Sequence, residues 1–115
     1  MSDRASIILN YEKMSGVADQ LTNLAGRLNN LNRVELEEIL EVLRSSWEGE
    51  NAELFYSKTV NWQERTDEVS ERLLAAADMI KKAANSYKSA ELAALDLLEQ
   101  STPTGTAASG TTTPT

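Results

Sequence analysis

The chain has 115 residues, 11 Lys plus Arg against 18 Asp plus Glu, a net charge of −7, and neither His nor Cys. That length fits one domain with a modest core. The missing Cys and His exclude disulfides, thiolate and imidazole catalysis, and the usual zinc and iron–sulfur sites, while the acidic balance speaks against nucleic acid or anionic membrane as the main partner.

At the N-terminus, Ser2 or Asp3 is positioned to cap a first helix. Ile7, Ile8 and Leu9 are followed at once by Asn10 and Glu12, which is no signal-peptide core. The first apolar ladder then runs Met14, Val17, Leu21, Leu24, Leu28 and Leu31 in +3, +4 steps. It slips by one residue: Glu35 falls where an apolar side chain is due, and the ladder resumes as Leu36, Leu40, Leu43 and Trp47. The slip coincides with Asn29, Asn30 and Asn32, which are weak helix formers. The expectation is one continuous helix over about 3–47; a kink or local irregularity at the slip is the alternative.

A turn follows at 48–51, within Trp47-Glu48-Gly49-Glu50-Asn51. Gly49 suits the left-handed position that ends a helix. Asn51 can cap the next one, and Glu53 sits well near its positive end. A second ladder then runs from Phe55 through Thr59, Trp62, Thr66, Val69, Leu73, Ala76, Ile80, Ala83, Tyr87, Ala90 and Ala94 to Leu97. That period of 3.5 residues marks a helix with a coiled-coil seam, over about 52–99. Both prolines, Pro103 and Pro114, lie in the stretch 101–115, which holds only Ser, Thr, Pro, Gly and Ala. Such a composition buries too little surface to fold and reads as a disordered tail.

The fold class expected is all-α: an antiparallel two-helix hairpin over 1–100, with helices about 60–70 Å long at a 1.5 Å rise. Its seam is assigned to Met14, Leu21, Leu28, Leu43, Phe55, Trp62, Val69, Leu73 and Ile80. Further apolar residues lie off the seam, among them Ile39, Val42, Leu74 and Leu92. A lone hairpin would leave them wet, so two hairpins are expected to pair into a four-helix bundle. Trp47 would plug the bundle end, and its loss would cost about 3–5 kcal/mol if the ring is buried. No apolar run approaches the length of a membrane span.

Glu35, Glu37, Glu38 and Glu41 form an acidic cluster, but bundle-type di-iron sites need Glu-x-x-His and there is no His. The cluster reads as a solvated face able to pair with Arg33 or Arg44. No catalytic residue, cofactor or metal is assigned.

The tripeptide Trp47-Glu48-Gly49 at a mid-chain turn, followed by Ala52, Glu53, Phe55 and Tyr56 and later by Tyr87-Lys88-Ser89-Ala90-Glu91, resembles the WXG family of Esx-like substrates of type VII secretion. The resemblance covers 1 to about 100 and has the family's Trp-x-Gly and Tyr-x-x-x-Asp/Glu motifs. It implies a non-enzymatic protein made in the bacterial cytoplasm and secreted without a cleavable signal peptide. It also implies dimerisation with itself or a related WXG-type protein, and recognition by the type VII ATPase machinery through Trp47, Gly49, Tyr87 and Glu91. Nucleic acid and an integral membrane segment are not implied. The alternatives are an adaptor that escorts a larger toxin to the same machinery, and membrane disruption after export, which the net charge disfavours. Gly49 and Tyr87 are about 38 residues apart, or about 57 Å of straight helix. An antiparallel dimer would therefore bring the turn of one copy to the Tyr87–Glu91 end of the other.

Overall fold

The computed structural model describes residues 3–101, and nearly all of them are helical. α1 (Arg4–Asn30) runs into a five-residue π-helical turn (Leu31–Glu35), then α2 (Leu36–Ser46), a short connection, and α3 (Glu50–Ser101). No strand occurs among the described residues. The expected tail beyond Ser101 lies outside them.

Asp3 starts α1: its Oδ1 accepts from the Ser6 backbone N–H at 2.7 Å, and its carbonyl accepts from Ile7 N–H at 3.0 Å. A free N–H at a helix start is thereby satisfied. The same hydrogen bond stabilises the ionised carboxylate and lowers the Asp3 pKa below its ordinary 3.8.

The helices form two compact units. One joins the start of α1, up to Ser15, to the end of α3, from Lys82. There the two stretches run antiparallel: Arg4 reaches Asp96 at 3.1 Å and Glu99 at 3.7 Å, and Asn10 meets Tyr87. Ile7 and Ala84 are its buried apolar residues. All these ion pairs are exposed, so each is worth little by itself.

The other unit is Gly16–Lys81. Here, too, the chain folds back antiparallel: Lys81 pairs with Asp19 at 3.0 Å, and Asn32 meets Gln63 nearer the connection. The deepest positions are small or polar. They are Ala18, Ala25, Asn32 and Leu40 before the connection and Ala52, Thr59, Gln63, Ser70 and Ala77 after it. The expected seam residues Met14, Leu21, Leu28, Leu43, Phe55, Leu73 and Ile80 are half-buried, whereas Trp62 and Val69 are exposed. Along both helices the deepest residue comes one position after a bulky one: Ala18 after Val17, Ala25 after Leu24, Gln63 after Trp62, Ser70 after Val69. A ladder of threes and fours can take either neighbour, since each lies within half a turn of the same line. Close approach of two helices selects the small one.

At the π-turn, Leu36 N–H donates to Leu31 O, five residues back rather than four. One extra residue is thus taken up in a single turn. The sequence slip at Glu35 is this extra residue. The turn is fixed to α3 by a reciprocal exchange: Asn32 Nδ2 donates to Gln63 O at 2.9 Å, and Gln63 Nε2 donates to Asn32 O at 3.1 Å. Asn32 Nδ2 also donates to Asp67 Oδ1 at 3.0 Å, and Gln63 Nε2 to Glu37 Oε2 at 3.0 Å. Both amides are buried, so these bonds remove what would be costly unpaired groups. Beside them Arg33 Nε donates to both carboxylate oxygens of Asp67, at 3.3 and 3.1 Å, with Nη2 on Oδ2 as well. The guanidinium lowers the Asp67 pKa below 3.8, and the carboxylate raises that of Arg33.

Candidate functional site

The connection between α2 and α3 carries the Trp-x-Gly tripeptide. In the last turn of α2, Ser45 Oγ and Ser46 Oγ both donate to Val42 O at 2.7 Å. Trp47 is the first residue out of the helix, with φ −136° and ψ 115°, its N–H still on Leu43 O at 2.8 Å. Gly49 has φ +115°, a conformation that side-chain-bearing residues rarely adopt. Its carbonyl accepts from Glu53 N–H at 3.0 Å and so opens α3. Asn51, a cap candidate in the sequence, lies inside α3 because Gly49 makes the reversal two residues earlier. Glu50 and Glu53 occupy the first turn of α3, where the helix dipole favours acids.

Trp47 is not a sealed plug: it is 38% exposed. Its ring lies 5.5 Å from Phe55 at a 46° tilt and 6.1 Å from Tyr56, edge-on. The Tyr56 hydroxyl donates to Trp47 O at 2.8 Å, and the Arg44 guanidinium stands 5.3 Å over the Tyr56 ring. Tyr56 thereby holds both the backbone and the ring of Trp47, a role that sequence reasoning did not assign. Its nine-residue offset across the turn was the available signal. Arg44, read in the sequence as a partner for the acidic cluster, instead covers Tyr56. The result is a three-ring cluster of Trp47, Phe55 and Tyr56 beside the connection.

The second motif lies in the other unit and is described by itself. Tyr87 is half-buried, and its hydroxyl accepts from Asn10 Nδ2 at 3.0 Å. Next to it, Lys88 Nζ sits 4.0 Å over the Tyr11 ring. Glu91 is half-buried, one turn further along α3. The tyrosine is thus fixed by packing and a hydrogen bond, and it holds this part of α3 against α1. Tyr11 and Asn10 were not singled out in the sequence, and nothing local marks them.

Among the described residues no group of His, Cys, Asp or Glu could hold a metal ion, and no helix is long and apolar enough to cross a membrane.

No curated protein and no solved structure matches the chain. The family model described as WXG100, proteins of 100 residues with WXG, matches residues 6–92, which takes in both motifs. The chain therefore belongs to the WXG100 family.

Proposed function

We propose that this protein is a substrate of a type VII (Esx-like) secretion system, exported as a folded helical-hairpin dimer and acting by protein–protein contact. WXG100 proteins are the small helical substrates of type VII secretion and are not known as enzymes. The observation that carries the reading is the Trp-x-Gly connection itself. Gly49 holds a backbone conformation that glycine favours, and Trp47 presents a half-open ring beside it. Tyr87 and Glu91, one helical turn apart, form the second part of the signal that the secretion ATPase and its machinery read. The dimer follows from the exposed apolar side chains of the hairpin: Val17, Leu24, Leu31, Ile39, Trp62 and Val69 are all large and all more than two-fifths exposed.

The test is export from the native host. Tyr87→Ala and Glu91→Ala are expected to retain helicity and dimer mass when purified, yet to fall at least tenfold in the medium relative to the cell pellet. Normal export of both variants would defeat the assignment of the second signal.

A further inference from the structure

We infer that the start of α1, residues 4–15, is a strap over the export motif, and that Tyr87 and Glu91 are read from a state in which this strap has come off α3. The inference rests on the motif reading above and adds what governs access to the motif.

The cover shows in the burial pattern of α3 beyond Lys82. The shielded positions are Ala84, Tyr87, Lys88, Glu91, Leu92 and Leu95, and the residues between them are exposed. Steps of three and one residue trace a single face of a helix. Both motif residues lie on that face. It is the face that α1 reaches: Asn10 donates to the Tyr87 hydroxyl at 3.0 Å, and Lys88 Nζ lies 4.0 Å over the Tyr11 ring. Any partner that grips Tyr87 and Glu91 together meets a half-covered ring whose oxygen already accepts a hydrogen bond. The motif is thus packed inward in the closed hairpin.

The strap is held lightly. Among the described residues of its unit, Ile7 is the large side chain that is fully buried, and Ala84 is the other buried apolar residue. The remaining ties are open to water. Arg4 and Asp96 are each more than half exposed, and such ion pairs contribute little. Asn10 is exposed too, so water can replace its hydrogen bond at small cost. Gly16–Lys81 is closed differently, with Leu40 and the Asn32–Gln63 exchange both buried. A segment with few buried apolar contacts opens before the rest of the molecule and as a unit. The boundary between the two units, after Ser15 and before Lys82, is where that opening stops.

Thiol labelling of the full chain measures the opening, because the sequence has no Cys of its own. Ala84→Cys places a thiol at a position that is 0% exposed in the strapped unit, and Ala77→Cys places one at 4% in Gly16–Lys81. Where reclosing outpaces labelling, the rate with a maleimide follows the open population. The Ala84→Cys chain is expected to react about tenfold faster or more than the Ala77→Cys chain. Adding Asn10→Ala should speed the first reaction about fivefold, the order of one hydrogen bond, and leave the second unchanged. Ile7→Val, which trims one methyl group, should act in the same way. Circular dichroism checks that helicity is kept. Equal rates at the two positions, or no response to either substitution, overturn the strap.

Export from the native host tests its role. Asn10→Ala and Ile7→Val are expected to raise the initial rate of appearance in the medium by about twofold or more, opposite in sign to Tyr87→Ala. Unchanged or lower export of both, with Tyr87→Ala and Glu91→Ala still blocked, overturns the strap and leaves the motif reading standing. Normal export of Tyr87→Ala and Glu91→Ala defeats the motif reading, and with it the strap's role in export, whatever the labelling rates.

Discussion

Gly49 carries φ +115°, and a Cβ built there would meet nothing within 4 Å. The objection to a side chain is therefore conformational, with no crowding to relieve. Gly49→Ala is expected to lower stability by about 1–2 kcal/mol, the order of the Cβ penalty in left-handed backbone, read as an earlier urea midpoint. Trp47→Ala should cost about 1–2 kcal/mol, less than a buried indole would, because the ring is part open and its energy lies in the contacts with Phe55 and Tyr56. Asp67 gives a pH signature. Its folded pKa lies below the 3.8 of the free side chain, so the unfolded chain binds the proton more readily. The contribution is fully present above pH 3.8 and is lost as pH falls through the lowered value. Urea titrations on the acid side should show Asp67→Asn flattening that part of the stability profile.

At the scale of the helices, type and order are legible in the sequence because the apolar period survives for long stretches without Pro. The phase slip at Glu35 even locates the π-turn. The face is a different matter. Hydropathy draws the seam through the bulkiest residues, Val17, Leu24, Trp62 and Val69, while the two helices meet on their smaller neighbours. A single sequence gives bulk and polarity but not the distance between helix axes, and that distance decides which neighbour is buried. The difference is measurable. Ala77→Leu should overpack the seam and cost about 1–3 kcal/mol, whereas Val69→Ala should hardly move the unfolding midpoint where the chain is monomeric. The polar exchange at the π-turn was illegible for the same reason: Asn32 reads as a weak helix former until Gln63 is found opposite. Asn32→Ala leaves the Gln63 carbonyl without its buried donor, and a loss of about 1–3 kcal/mol is expected in urea denaturation.

For the molecule as a whole, the Trp-x-Gly and Tyr-x-x-x-Glu motifs were readable as patterns, and the family match over residues 6–92 supports the family reading drawn from them. Their physical surroundings were not: Tyr56 on the Trp47 carbonyl and Asn10 on the Tyr87 hydroxyl are contacts between helices. The composition also gains a use. Without Cys or His, neither a disulfide nor a Cys- or His-bound metal contributes to the fold. Its helices rest on apolar and hydrogen-bonded contacts. If the proposed export role holds, the Tyr87 and Glu91 variants should lower secretion at least tenfold with helicity and mass unchanged.

The π-turn also says how such a chain tolerates a change in length. A residue added to an ordinary helix rotates everything downstream by about 100° and would carry Leu40 and Leu43 off their face. Widening one turn absorbs the addition locally, so the stretches before and after it keep their own alignment. Residues 31–35 are thus an expansion joint. Deleting Val34, which is exposed, should close the joint into plain α-helix and leave the hairpin folded with full helicity, while the same deletion in the middle of α3 should unfold it.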